Sequence, residues 1–133
     1  MATGLATFDA FSWASLLKGR RILVVDRVAA RGRATAEALE EAGAEATLAS
    51  NQGIAGDRMR EGTYRHVLVS LDAADEVRAG FAERLGLCGR GAIILADPSR
   101  HAALRRPLPA ARYGDHSMDA RSIVMFLTET ADE

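Results

Sequence analysis

The sequence predicts an α/β sandwich, a five-stranded parallel sheet with helices on both faces. Three observations carry that prediction. The run Arg20-Arg21-Ile22-Leu23-Val24-Val25-Asp26 is short, apolar and unbroken, and His66-Val67-Leu68-Val69-Ser70-Leu71 and Gly91-Ala92-Ile93-Ile94-Leu95-Ala96 repeat the pattern. Runs of this kind suit strands buried on both faces, the habit of parallel sheets. Segments with helical periodicity separate them, and strand and helix alternate five times, which implies right-handed crossovers winding both sides of one sheet.

Each element follows from local chemistry. The segment 1–19 reads as a short appended helix, capped by Asp9, with Phe11, Trp13, Leu16 and Leu17 apolar and Gly19 stopping it. After the first strand, 31–42 is rich in Ala, Glu and Leu, with Thr35, Ala38, Leu39 and Ala42 on one face and Gly43 placed for a left-handed cap. A second strand is expected over 44–49. A helix weakened by Gly53 and Gly56 follows it, from about Ser50 to Arg60. After the third strand, Asp72 is placed to cap a helix whose inner stripe is Val77, Phe81 and Leu85. Asp97-Pro98 reads as N-cap and first helical residue of a short fourth helix that ends before Pro107. The fifth strand, around 110–113, is weak in β preference. The last helix begins near Ser117 or Asp119 and buries Ile123, Val124, Phe126 and Leu127.

Composition narrows the function classes. A chain of 133 residues with 48% hydrophobic and 26% charged residues has the length and balance of one globular domain. Its net charge of -1 gives no electrostatic case for DNA or an anionic membrane. The one cysteine, Cys88, fits a reducing compartment, and no apolar run approaches a membrane span or a signal peptide. A cytoplasmic location is therefore expected. A dinucleotide fingerprint is excluded, because Val28-Ala29-Ala30 stand where its glycines belong and Gly32 alone does not supply them.

With element order and spacing in place, residues 20–129 resemble the response-regulator receiver domain. Arg21-Ile22-Leu23-Val24-Val25-Asp26 is similar to that family's first strand, Tyr64-Arg65-His66-Val67-Leu68-Val69-Ser70-Leu71 to its third, and 91–96 to its fourth. Tyr113 stands three residues before His116, the spacing of the family's switch aromatic and lysine. The resemblance implies a flavodoxin-like (βα)5 fold with strand order 2-1-3-4-5, flanked by the extension 1–19 and an acidic tail over 130–133.

The resemblance also implies a phosphorylation pocket, and this sequence keeps little of it. Asp26 retains the first acid, but Arg27 stands at the second, Ser70 at the phosphoacceptor, Ala96 at the hydroxyl position and His116 at the lysine. A guanidinium has no lone pair for a metal, and a hydroxyl cannot become an aspartyl phosphate. Loss of Mg²⁺ binding and of phosphotransfer is the expectation, so no cofactor and no enzyme activity are expected, with Asp26 and Arg27 paired in the old pocket. A strand slipped by two residues would instead put Asp72 at the acceptor position, and that reading stays open.

The expected role is a protein–protein interaction module in bacterial two-component signalling, alone or within a hybrid histidine kinase. Its partner would be a histidine kinase or another receiver, or a second copy, through the fourth helix, fifth strand and fifth helix. Arg100, Arg105, Arg106, Arg112 and Tyr113 lie in that region. Guanidinia fork onto phosphates and stack on bases, so binding of cyclic di-GMP is a second open reading. His66, His101 and Cys88 match no metal or nucleophile pattern and are expected to be structural.

Overall fold

The computed structural model describes residues 13–131. Five strands, β1 (Arg21–Val25), β2 (Glu45–Ala49), β3 (His66–Ser70), β4 (Ala92–Ala96) and β5 (Arg112–Asp115), form one parallel sheet in the order 2-1-3-4-5. Between and after them run α1 (Ala29–Glu41), α2 (Gln52–Glu61), α3 (Ala79–Cys88), α4 (His101–Leu104) and α5 (Ala120–Ala131). The predicted fold class and strand order are those observed. Asp9 and residues 132–133 of the tail lie outside the described residues.

Alternation along the strands divides the core into two layers. Leu23, Val25, Val67, Val69 and Ile94 face α2 and α3, with Phe81 and Leu85 packed on them. Ile22, Val24, Leu68, Ile93 and Leu95 face α1 and α5, meeting Leu39, Ile123, Val124 and Leu127. Leu17 is fully buried in this second layer, and its amide donates to Ala42 O at 2.8 Å. Gly43 takes the left-handed cap, φ +100°, and a Cβ there would meet Ala14 O at 2.6 Å.

Several predicted boundaries move, and the reasons are local. The helix expected from Asp72 begins only at Ala79, and Asp72 caps nothing. Instead Asp72 and Asp75 close a turn, Asp75 N donating to Asp72 O and Asp72 N to the Asp75 carboxylate. The stretch before α3 is held extended by Gln52, whose amide donates to Glu76 O at 2.7 Å and accepts from Arg78 N at 2.9 Å. β5 lies two residues later than expected and includes Gly114, where a Cβ would stand 2.8 Å from a Leu95 methyl and 3.0 Å from Met118 Sδ. Asp97 accepts from Ser99 N, and Asp119 from Ser122 N, as caps of the elements that follow.

Candidate functional site

At the carboxyl edge of the sheet, β1 ends in a carboxylate with almost no contact with water: Asp26 is 1% exposed. Its neutralising group is Arg31, from the first turn of α1. Arg31 Nε donates to Asp26 Oδ2 at 2.7 Å and Nη2 donates to Asp26 Oδ1 at 2.8 Å, a two-pronged fork, while Val28 N donates to Oδ1 at 2.9 Å. The close seat of α1 depends on Gly32, where a Cβ would stand 3.1 Å from Asp26 Cβ and 2.7 Å from a Leu48 methyl.

The same guanidinium reaches a second carboxylate. Arg31 Nη1 donates to Asp72 Oδ1 at 2.9 Å and Nη2 donates to Oδ2 at 3.2 Å. His116, in the turn after β5, places Nε2 2.8 Å from Asp72 Oδ1 and 3.3 Å from Arg31 Nη1. An ionised carboxylate only accepts, so the ring N–H donates to Asp72. Arg31 first and His116 second draw the Asp72 pKa from 3.8 down to about 2. The bonds to Asp26 and Asp72 in turn raise that of Arg31. Asp72 is thereby held ionised.

The expected Asp26–Arg27 pair is not formed. Arg27 turns outward, 62% exposed, and contacts Asp72 and Asp75, each at 3.2 Å. Arg31 has its place because a side chain from the first turn of the following helix leans back over the strand end, whereas Arg27 leaves the strand on the opposite side. Arg31 and Asp75 are therefore the residues that sequence reasoning missed. The available signal was an acid at a strand end with an arginine five positions later, across a strand–helix junction.

The other predicted residues are distributed around this cluster. Ser70 does not join it. It lines a cleft of about 240 Å³ that borders the cluster at Arg27 and Asp75, together with Val25, Asn51 and Leu71. Ala96 is fully buried, and its carbonyl lies 3.0 Å from His101 Nε2 and accepts from His116 N. Asp72 lies beyond the last paired residue of β3, Ser70 opposite Leu95. Arg100 binds the backbone carbonyls of Asp72 and Asp75 and so buttresses the β3–α3 loop. Tyr113 is half-buried, its hydroxyl 2.7 Å from Leu108 O and 3.0 Å from Leu104 O, with the Arg105 guanidinium over its ring. Arg112 lies over Phe126, and Arg106 is exposed. The four arginines do not converge on one point.

The magnesium ion that the receiver resemblance implies does not fit this donor set. Both oxygens of Asp26 already accept from Arg31, guanidinia stand on Asp72 and Asp75, and Ser70 brings no charge. Among the described residues no group of three or more His, Cys, Asp or Glu is arranged to hold a metal.

No family model matches the chain, and no curated protein matches it in sequence. Solved structures do. A response regulator protein from Thermotoga maritima, in complex with Mg(2+)-BeF, is 25% identical, with 84% of this chain and 98% of that one covered and a TM-score of 0.65. A sensor protein from Polaromonas sp. JS666 is 17% identical over 86% and 97%, with a TM-score of 0.68. A response regulator protein from Burkholderia multivorans is 20% identical over 86% and 95%, with a TM-score of 0.65. The chain has the fold of CheY-like receiver domains.

Proposed function

We propose that this domain is a degenerate receiver, a regulatory protein–protein interaction module of bacterial two-component signalling that receives no phosphoryl group. The observation that carries the reading is the end of β3. It offers a hydroxyl, Ser70, where a carboxylate nucleophile is needed, while the nearest acids are occupied by Arg27 and Arg31. The partner is a histidine kinase, another receiver or a second copy, met through α4, β5 and α5. The absence of a membrane-length helix among the described residues is compatible with a cytoplasmic setting.

Incubation with Mg²⁺ and acetyl phosphate, followed by intact-mass measurement, tests the central point. No acid-stable or hydroxylamine-sensitive adduct is expected, and an acyl phosphate on Asp72 would overturn the reading. Light scattering over a concentration series, with pull-down against histidine kinase cores, tests the interaction. A strict monomer that captures no kinase or receiver counts against it. Cyclic di-GMP is the control ligand. Arg100 and Arg105 are already engaged within the domain, so no calorimetric heat is expected. Heat abolished by Arg106→Ala would favour nucleotide binding instead.

A further inference from the structure

The geometry points to Arg31 as an internal counter-cation: its guanidinium bridges the carboxylates of Asp26 and Asp72, and it ties three chain segments at the sheet edge into one fixed arrangement. Failure of the domain to find a partner would leave this role of Arg31 intact, since the role rests on the bonds within the domain.

Four N–H groups of the one guanidinium are spent on two carboxylates from separate elements, the Nε/Nη2 edge on one and the Nη1/Nη2 edge on the other. Two bonds go to Asp26 at the end of β1 and two to Asp72 in the β3–α3 loop. The third segment is the β5–α5 turn, through His116 on Asp72. From there the connections run toward Tyr113. His116 N donates to Ala96 O, and His101 Nε2 lies 3.0 Å from the same carbonyl and 3.1 Å from Gly114 O. The His101 ring packs at 5.5 Å against the ring of Tyr113, whose hydroxyl is fixed at the end of α4.

Charge decides what Arg31 excludes. The carboxylates of Asp26, Asp72 and Asp75 face the guanidinia of Arg27 and Arg31 and the His116 imidazole, while a third guanidinium, Arg100, sits on the backbone carbonyls of Asp72 and Asp75. Without Arg31, the Asp26 carboxylate keeps the Val28 amide, Arg27 is largely exposed, and Arg100 stays directed at backbone oxygens. An excess of carboxylate oxygens around an uncovered edge is what a hard divalent cation requires. With Arg31 in place those oxygens are already spent. A tethered cation is present at every metal concentration, so this edge is held in one state without a diffusible ion.

The test is Mn²⁺-induced broadening in ¹H–¹⁵N spectra of the full chain, with Mg²⁺ as competitor. In the wild type no saturable broadening is expected at the amides of Asp26 and Asp72. In Arg31→Gln, saturable broadening centred on those amides is expected, with apparent affinity raised about tenfold or more, the scale on which an adjacent cation acts on a carboxylate. Amide shifts should accompany it at Tyr113, Gly114 and His116. Equal broadening in both proteins, or none in either, overturns the counter-cation. Should Arg31→Gln not fold, Arg31→Lys keeps the charge and loses the fork. It is expected to remain refractory to Mn²⁺ while shifting residues 113–116, and wild-type positions there overturn the tether.

Discussion

At the scale of single residues, two arginines four positions apart differ in energetic weight because one carboxylate is buried. Removing Arg31 leaves the buried Asp26 carboxyl with one amide for company. Arg31→Ala should therefore cost about 3 kcal/mol, the range measured when one partner of a buried pair is deleted. Arg27→Ala removes only exposed contacts and should cost about 0.5 kcal/mol or less. Urea denaturation of the two variants checks the contrast, and equal losses would show that burial of Asp26 does not set the scale. His66 carries a second prediction. Burial first, then Arg20, Arg65 and Arg112, push its pKa from 6.5 to about 4, and Nδ1 has no hydrogen-bond partner. The unfolded chain takes up the proton near 6.5 and the folded one only near 4. Stability is therefore undiminished above pH 6.5 and falls as pH drops toward 4, by about 3 kcal/mol at most. His66→Leu should flatten that slope in denaturation midpoints measured from pH 7 to 4.5. The order of residues along the edge was legible, with Asp26 following β1, Ser70 ending β3, Ala96 ending β4 and His116 following β5. Their pairing was not, because which arginine reaches Asp26 depends on how α1 leaves the strand.

At the scale of elements, helix glycines separate into those that the packing requires and those that it does not. A Cβ on Gly86, inside α3, meets nothing within 4 Å, and one on Gly56, inside α2, meets only Arg84 Cδ at 3.9 Å. Neither glycine has positive φ. Gly86→Ala and Gly56→Ala should each stabilise by about 0.5–1 kcal/mol through lower backbone entropy in the unfolded chain. Gly32 is the counter-case. A methyl there presses on Leu48 and on Asp26 Cβ, so Gly32→Ala should lower the melting temperature and loosen the Asp26–Arg31 fork. Calorimetric melting of the three variants should order them on opposite sides of wild type. Reading Asp72 as a helix cap failed at this same scale. The carboxylate had a better offer from two guanidinia and an imidazole, and Gln52, from the other side of β3 in sequence, held 76–78 out of the helix. Capping is a local rule, and the competitors here are more than twenty residues away in the chain.

At the scale of the whole molecule, the alternation of apolar runs with helical segments was enough to give the number and order of the strands, with β5 two residues out, since a doubly wound parallel sheet has few topologies open to it. The edge of the domain was harder to read. Composition changes at residue 20, which is why 1–19 reads as an appendage. Yet Leu17 has no exposed surface and belongs to the layer formed with Leu39, Ile123, Val124 and Leu127. A short apolar segment gives no sign in sequence of which layer it enters. Here the entry is fixed by two bonds, Leu17 N to Ala42 O and Arg20 N to Leu17 O, and by Gly43, whose missing side chain leaves room for Ala14 and Lys18. Leu17 should then behave as a core residue and not as a tail residue. Leu17→Ala is expected to cost about 3 kcal/mol, in the range for a fully buried leucine, while Leu16→Ala, half-buried, should cost about 1 kcal/mol. Gly43→Ala should match or exceed the Leu17→Ala loss, because it strains a left-handed backbone and collides with the segment that carries Leu17. If urea unfolding shows Leu17→Ala within about 0.5 kcal/mol of wild type, the limit for a surface site, the core closes without this segment and the domain begins at β1.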